Sequence, residues 1–147
     1  MEKLLVNCAH ELMDTAPQIM QTIRVEMRRS RDSDISIPQF RTLAFIQRSP
    51  DSSLSNLADH LGLTLPSVSK LVDGLVKQGL VIRQSSTADR RRLTLALSQS
   101  GAFIVNSART TAQTNLIQKM SSLSKDELET IHLAMQFLQP IFAGQNR

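Results

Sequence analysis

The chain begins with a long stretch in which hydrophobic residues recur at steps of three and four. This spacing predicts an amphipathic helix over about residues 2–29. Pro17 lies inside the stretch and is expected to bend the helix or to divide it in two. After a polar run, Ser36 and Gln39 have the spacing of a capping box, which predicts a second helix over about residues 37–48.

Two short helices separated by a glycine turn are predicted next. Leu54 is expected to begin a very short strand, after which one helix covers residues 56–60 and another covers residues 65–78. A serine or threonine stands before each helix and a glycine after it, as helix caps and stops require. These residues are Ser55 and Gly62 for the first helix, and Thr64 and Gly79 for the second.

The hydrophobic period then changes to two, which is typical of β-strands. Residues 80–83 and 92–97 are predicted to form two strands, joined by a polar loop over residues 85–89. In the second strand, one face is expected to be buried and the other exposed. The buried face carries Leu93, Leu95 and Leu97, and the exposed face carries Arg92, Thr94 and Ala96.

Two more helices complete the chain. Ser98 is the expected cap of a helix over residues 99–120, and Ser124 with Glu127 forms a capping box for the last helix. Pro140 is expected to end or kink that last helix. The pattern predicts a mainly α fold with a small β-hairpin wing, in which a winged helix-turn-helix is embedded between terminal helices.

The terminal helices have one-sided apolar stripes and no further partner within the chain. A second subunit that covers such stripes removes them from water, which favours a homodimer. We therefore divide the chain into an N-terminal dimerisation helix at 1–31, a winged helix-turn-helix DNA-binding region at 37–98 and C-terminal dimerisation helices at 99–147.

The formal net charge of +4 is concentrated in the predicted second helix of the pair and the hairpin. Residues 65–98 contain six basic and two acidic side chains, whereas the rest of the chain contains eleven of each. Excess positive charge on a helix and its adjoining hairpin indicates a polyanionic partner.

One side of the helix predicted at residues 65–78 is apolar and faces the core, while the opposite side carries hydroxyl groups and a lysine. The major groove of B-DNA, about 12 Å wide, admits one helix, and hydroxyl and ammonium groups suit its base edges. A solvated helix face that contacts nothing is the alternative. The predicted base contacts are Pro66, Ser67, Ser69 and Lys70, with Ser55 as a further DNA contact.

Three consecutive arginines, Arg90, Arg91 and Arg92, follow Asp89 at the end of the hairpin loop. Exposed like charges repel each other, and a phosphate backbone or a narrow minor groove relieves that repulsion. Asp89 is expected to hold one guanidinium in a chosen direction through a bidentate pair. We predict that all four residues contact DNA, the alternative being a solvated loop.

Composition disfavours several other classes of protein. Five Phe with no Tyr or Trp leave few platforms on which single-stranded bases could stack. No phosphate cradle, nucleophile elbow or acid pair is recognisable, so we predict neither an enzyme nor a cofactor. No apolar run is long enough to cross a membrane or to direct secretion, so a cytoplasmic protein without a membrane partner is expected.

Four segments of the chain occur together in the order and spacing of a known protein family. They are Ser55–Gly62, Val68–Leu75 with Gly79–Val81, Asp89–Arg91, and Leu97–Gly101. Together they resemble the MarR family of bacterial winged-helix regulators over residues 37–101. The flanking helices match that family in length and apolar character alone.

The resemblance implies a triangular homodimer that holds two winged domains over successive major grooves of a near-palindromic operator in double-stranded DNA. It implies that Arg91 enters the minor groove while Asp89 orients it, and that the protein is a repressor released by a small molecule. Many members have a proline at the wing tip, where this chain has Ser85–Ala88. This difference leaves the resting conformation of the wing open.

The resemblance also implies a crevice for a small aromatic anion between the dimerisation helices and the winged domain. Among the candidates, Arg24 carries the charge that suits a carboxylate. Methionines at helical spacing are otherwise typical core residues. The residues predicted to line this crevice are Met20, Ile23, Arg24 and Met27 on the first helix, with Phe40 and Leu43 on the second.

Two other hypotheses concern Cys8 and the kind of partner. Some members of the family sense oxidants through an N-terminal cysteine, but Cys8 has leucines nearby and no second cysteine, which favours a buried, inert thiol. The three histidines are far apart in sequence and predict no metal site. A winged-helix module that binds a protein in place of DNA is the remaining alternative.

Overall fold

The structure is a computed structural model that describes residues 1–85, 88–89 and 91–143. Across these residues it contains six α-helices and one antiparallel hairpin, which confirms the predicted mainly α fold with a β-hairpin wing. The elements are α1 (Glu2–Arg29), α2 (Ile37–Arg48), α3 (Leu54–Leu61), α4 (Leu65–Lys77), β1 (Val81–Ser85), β2 (Leu93–Leu97), α5 (Gln99–Met120) and α6 (Lys125–Phe142).

The hydrophobic core lies in the first of two compact units, which divide between Gln113 and Thr114 within α5. Helices α2, α3 and α4 pack their apolar faces together, and the hairpin and the first half of α5 close the core. The side chains with no accessible surface at its centre are Leu43, Leu57, Val68, Val72 and Leu75. Their removal from water is the main stabilising contribution to the winged region.

Local hydrogen bonds set most helix ends where the pattern predicts them. The Ser36 amide donates to Gln39 Oε1 at 2.9 Å, and Ser124 and Glu127 form the equivalent box at α6. The bonds from the Ser124 amide and hydroxyl lower the pKa of Glu127, because they favour the ionised carboxylate. Gly62 follows α3 with a φ of 67°, the left-handed conformation expected of a helix stop.

The start of α3 differs from the prediction. Ser53 caps this helix, so Ser55 lies inside its first turn and Leu54 is its first helical residue. The predicted cap was wrong because Asn56 serves as the third residue of a capping box, a position where Glu or Gln is usual. Leu54 therefore does not begin the short strand that was predicted. Two residues earlier, the Ser52 carbonyl accepts a hydrogen bond from the Leu95 amide of β2 at 3.1 Å.

The hairpin pairs Val81 with Leu97 at its base and Ser85 with Leu93 at its outer end. The predicted alternation in β2 is wrong at two positions, since Thr94 is fully buried and Leu93 is 65% exposed. β2 packs against α2 as well as pairing with β1, whereas Leu93 lies at the outer end of the hairpin. The Thr94 hydroxyl donates to the Gln84 carbonyl at 3.4 Å, so its burial leaves no unpaired group.

Neither proline divides a helix. α1 continues through Pro17, and α6 continues two residues past Pro140 to Phe142. A proline removes one backbone hydrogen bond, and the remaining bonds of these long helices maintain them.

The terminal helices expose much of their apolar surface. α6 has no buried residue, and Glu26 is the buried residue of α1. None of the described helices combines the length and hydropathy needed to cross a membrane. The large exposed apolar side chains of these two helices include Leu4, Leu5, Met13, Ile19, Leu133, Met135, Phe137 and Ile141.

Candidate nucleic-acid interface

Helix α4 presents its N-terminal half to solvent. Its core side is held by buried Val68, Val72 and Leu75, which turns the opposite side outward. Pro66, Ser67 and Lys70 are exposed there, and Ser69 is half-buried beside them. The structure therefore brings the four predicted base-contact residues together on one accessible face, at the positive end of the helix dipole.

The first turn of α4 is fixed by Thr64. The Thr64 oxygen accepts the Ser67 amide at 3.4 Å, and its hydroxyl donates to Ser67 Oγ at 2.9 Å. The hydroxyl groups of Thr64 and Ser67 are therefore held in fixed directions at the start of α4. The Ser67 oxygen keeps its own hydrogen available as a donor to an incoming acceptor.

One pair of charges in this region is internally neutralised. Arg83 on β1 forms an ion pair with Asp73 on α4, and both side chains are partly exposed. Lys70 and Lys77 have no such partner within the described part of the chain. The Arg83 pairing was not predicted from sequence, because it joins two elements ten residues apart.

Asp89 organises the turn that leads into β2. Its carboxylate accepts the Arg91 amide at 3.0 Å, and its carbonyl accepts the Arg92 amide at 3.0 Å. This backbone role was not foreseen, and the expected pairing of Asp89 with a guanidinium stays a prediction. Arg90, with Ser86 and Thr87 of the loop tip, lies outside the described residues.

The two described wing arginines have different environments. Arg92 donates from Nη2 to Asn56 Oδ1 on α3 at 3.3 Å. The Arg91 side chain is exposed and has no hydrogen bond or ion pair with the rest of the described chain. Of these two residues, Arg91 therefore has the available guanidinium, whereas Arg92 is in contact with α3.

Ser55 and Asn56 occupy adjacent exposed positions in the first turn of α3. Ser55, a predicted DNA contact, makes no cap, and its assignment stays a prediction. A role for Asn56 was not predicted from the sequence, although its amide oxygen accepts hydrogen bonds from both Ser53 and Arg92. A polar residue three positions after Ser53 was the available signal.

His60 marks a basic cluster on α2 and α3. Its ring stacks on Phe45, with centroids 4.5 Å apart and planes 25° apart. Partial burial, followed by the positive charges of Arg48, Arg41 and Arg24, lowers the pKa of His60. Both effects favour the neutral form of this histidine.

The residues predicted to line an effector crevice occupy different environments. Phe40 and Leu43 are buried in the core and Met27 packs against it, while Met20 and Arg24 are exposed and Ile23 is half-buried. An open cavity of about 210 Å³ lies elsewhere, between the C-terminal end of α2, the hairpin and the start of α5. The effector assignment stays a prediction.

The Cys8 thiol is exposed in the single chain, contrary to the buried state expected from its leucine neighbours. The leucines at positions 4 and 5 are themselves exposed, so they supply no cover. Among the described residues no cluster of three or more histidine, cysteine or acidic side chains could hold a metal ion.

Comparison with known proteins identifies relatives of this region and of the whole chain. A model of the MarR family matches residues 33–92. An uncharacterized HTH-type transcriptional regulator of Mycobacterium leprae is 25% identical over 125 residues, which is 85% of this chain and 87% of that protein. This match extends the similarity beyond the winged region to the terminal helices.

Solved structures share the fold. The transcriptional regulator Tm0710 of Thermotoga maritima superposes with a TM-score of 0.73 at 23% identity, covering 91% of this chain and 95% of that one. A mutant of S. aureus MepR bound to an oligodeoxyribonucleotide gives a TM-score of 0.55 at 21% identity, with 90% of this chain and 95% of that one covered. MepR bound to ethidium bromide gives 0.61 at 21% identity, with 90% and 94% covered.

Proposed function

Because the chain belongs to the MarR family, we propose that it is a transcriptional regulator that binds a near-palindromic operator in double-stranded DNA. The observation that supports this function best is the accessible cationic surface formed by α4 and the wing. Lys70 lies on the exposed face of α4, a single helix of the width that the DNA major groove admits. The Arg91 guanidinium is exposed without an internal partner in the described chain. In a complex with DNA, Lys70 would face base edges in the major groove and Arg91 would face the minor groove.

A near-palindromic operator calls for two such surfaces, which a homodimer would provide. The exposed apolar side chains of the terminal helices support this homodimer. Phe137 is 70% exposed and Leu5 is 72% exposed, and each lies on a helix with many other exposed apolar side chains. Burial of this surface against a second copy would remove it from water. Sedimentation equilibrium tests the proposal, and a monomer at micromolar concentration would contradict it.

The DNA-binding proposal is tested with a duplex that the protein itself selects from a random-sequence pool. Neutralised phosphates release counterions, so we expect affinity to fall by about 1,000-fold or more between about 50 and 200 mM salt. A winged-helix module that binds a protein through apolar surface would show no enrichment of any duplex and little dependence on salt. Gel-shift titration at several salt concentrations separates these two functions.

Lys70→Ala is expected to reduce base preference more than overall affinity. An ammonium group that donates to guanine O6 or N7 contributes about 1 to 3 kcal/mol of discrimination at one base pair. Repeating the selection with the variant should give a sequence profile that is relaxed at that position and unchanged elsewhere. Lys77→Ala, one charge removed from the other end of α4, is the control. Identical profiles for Lys70→Ala and the wild type would exclude Lys70 as a base-contact residue.

We further propose that the protein acts as a repressor released by a small aromatic anion. Arg24 supports a carboxylate ligand because it is exposed beside half-buried Ile23 on α1. MepR, a protein of this fold, was solved bound to ethidium bromide, whose aromatic ion is a cation, so binding of an aromatic ligand has a precedent in this fold. Calorimetric titration with salicylate-like compounds, repeated on Arg24→Ala, tests this site. Equal binding by both proteins would place the ligand elsewhere.

An oxidant-sensing regulator is the second candidate, and the exposure of Cys8 favours it. An accessible thiol can be oxidised, and a second subunit would supply a cysteine in the assembly. DNA binding after peroxide treatment should then be lost in the wild type and kept in Cys8→Ser. Full binding by peroxide-treated wild-type protein would eliminate this candidate.

A further inference from the structure

The side chain of Asn56 links the helix-turn-helix to the wing. Its Oδ1 atom faces three donors, namely the Ser53 amide at 3.1 Å, the Ser53 hydroxyl at 2.6 Å and Arg92 Nη2 at 3.3 Å. All three groups donate, so the amide oxygen and not the amide nitrogen must point towards them. One orientation of Asn56 therefore serves both the cap of α3 and the wing.

In the described chain, two hydrogen bonds attach the hairpin to the start of α3 and the residues just before it. The backbone bond from the Leu95 amide to the Ser52 carbonyl holds the middle of β2. The Arg92–Asn56 bond holds the residue just before β2, three positions closer to the tip. Within the described chain, Arg92 is the attachment nearest to Arg91.

Hydrogen bonds to Asp89 connect this attachment to Arg91. The Arg92 amide donates to the Asp89 carbonyl, which closes the turn, and the Arg91 amide donates to the Asp89 carboxylate within it. Arg91 is thus the neighbour of a tethered residue in a closed turn. Its position relative to α4 depends on where Arg92 is held.

We propose that Asn56 is a positioning residue for the wing, which it holds against α3 through Arg92 so that Arg91 is aimed at the DNA. The proposal rests on the DNA-binding function proposed above. Under this proposal, Arg92 orients the wing as well as contributing a positive charge. Asn56 then affects DNA binding even if its own side chain does not touch the DNA.

Three variants separate this role from helix capping. Asn56→Ala removes both the cap and the link, whereas Ser53→Ala removes the capping hydroxyl and leaves the link to Arg92 in place. Asn56→Asp keeps an acceptor for both partners, and its charge strengthens the bond to Arg92. Thermal unfolding of all three proteins measures the capping effect, and Asn56→Asp remains informative if Asn56→Ala does not fold.

The first readout needs no DNA. Amide hydrogen exchange at Arg91 and Arg92 should accelerate by about three- to ten-fold in Asn56→Ala, because a hydrogen bond to a charged group that closes the local structure is lost. Ser53→Ala should leave these two amides at the wild-type rate, and Asn56→Asp should leave them at that rate or slow them. Equal exchange in Asn56→Ala and Ser53→Ala would overturn the proposal.

The second readout is affinity for the selected duplex. Asn56→Ala should weaken binding about three- to ten-fold more than Ser53→Ala, with an unchanged salt dependence because no charge is removed. In an Arg92→Ala background this difference should vanish, since the tether is already lost. An Asn56→Ala effect that persists undiminished in that background would contradict the proposal. Failure of the wild type to bind any duplex would refute the DNA-binding function, while amide exchange would still decide whether Asn56 holds the wing.

Discussion

Arg91→Ala is expected to abolish most of the affinity for the selected duplex. The side chain is exposed and has no internal partner in the described chain, so the folded protein loses no contact, while the complex with DNA would lose the proposed minor-groove anchor. Loss of an arginine contact of about 1 to 3 kcal/mol in each of two subunits raises the Kd roughly 30-fold or more. Gel-shift titration at low salt measures the change.

Two controls isolate the wing contact. Arg109→Ala removes one exposed arginine from α5, which belongs to neither α4 nor the wing, and it should retain nearly wild-type affinity. Arg91→Lys keeps the charge and should fall between the wild type and Arg91→Ala, because an ammonium group lacks the planar fork of donors. The salt dependence should decrease for Arg91→Ala by roughly two ions per dimer. Wild-type affinity in Arg91→Ala would remove the assignment of Arg91 to the minor groove.

Gly101→Ala, in the first turn of α5, is expected to be strongly destabilising. A Cβ atom at this position of α5 would collide with the Leu80 carbonyl oxygen and lie 3.1 Å from its carbon. The same oxygen accepts the Ser98 amide at 3.1 Å, so a shift of α5 would also weaken that bond. Overpacking against backbone lowers the free energy of unfolding by about 1 to 3 kcal/mol or more. Thermal or urea unfolding gives the value.

Gly74 provides a matched control for this prediction. It lies in α4, also within a helix, and a Cβ there would have no neighbour within 4 Å. Gly74→Ala should therefore be neutral or stabilising by up to about 1 kcal/mol, because alanine loses less backbone entropy in a helix. If both variants unfold at the same denaturant concentration, the contact between α5 and Leu80 does not constrain residue 101.

Elements defined by local interactions could be read directly from the sequence. The starts of α2 and α6 were predicted correctly, because Ser36 and Ser124 are capped by residues three positions away. The start of α3 was misplaced because asparagine acts as its reciprocal capping residue. The ends of a helix depend on residues close by in the chain, so the predicted position of a helix end is accurate when the capping residues are recognised.

Contacts between distant segments could not be predicted in the same way. Thr94 is fully buried although the alternation predicted it to be exposed, and no alternation of hydrophobic residues encodes the packing of β2 against α2 or its backbone bond to Ser52. The bond between Arg92 and Asn56 joins residues 36 positions apart. Such pairs form when folding brings two elements together, and either partner is compatible with many other neighbours.

The amino-acid sequence alone determined the order of helices and strands, the caps at most of their ends and the concentration of positive charge over residues 65–98. The tertiary structure decided which of those charges remain available: Arg83 pairs with Asp73, Arg92 contacts Asn56, and Arg91 is exposed. The physical reason is that net charge is a sum over residues, whereas the direction of each long side chain depends on the donors and acceptors that folding places within its reach.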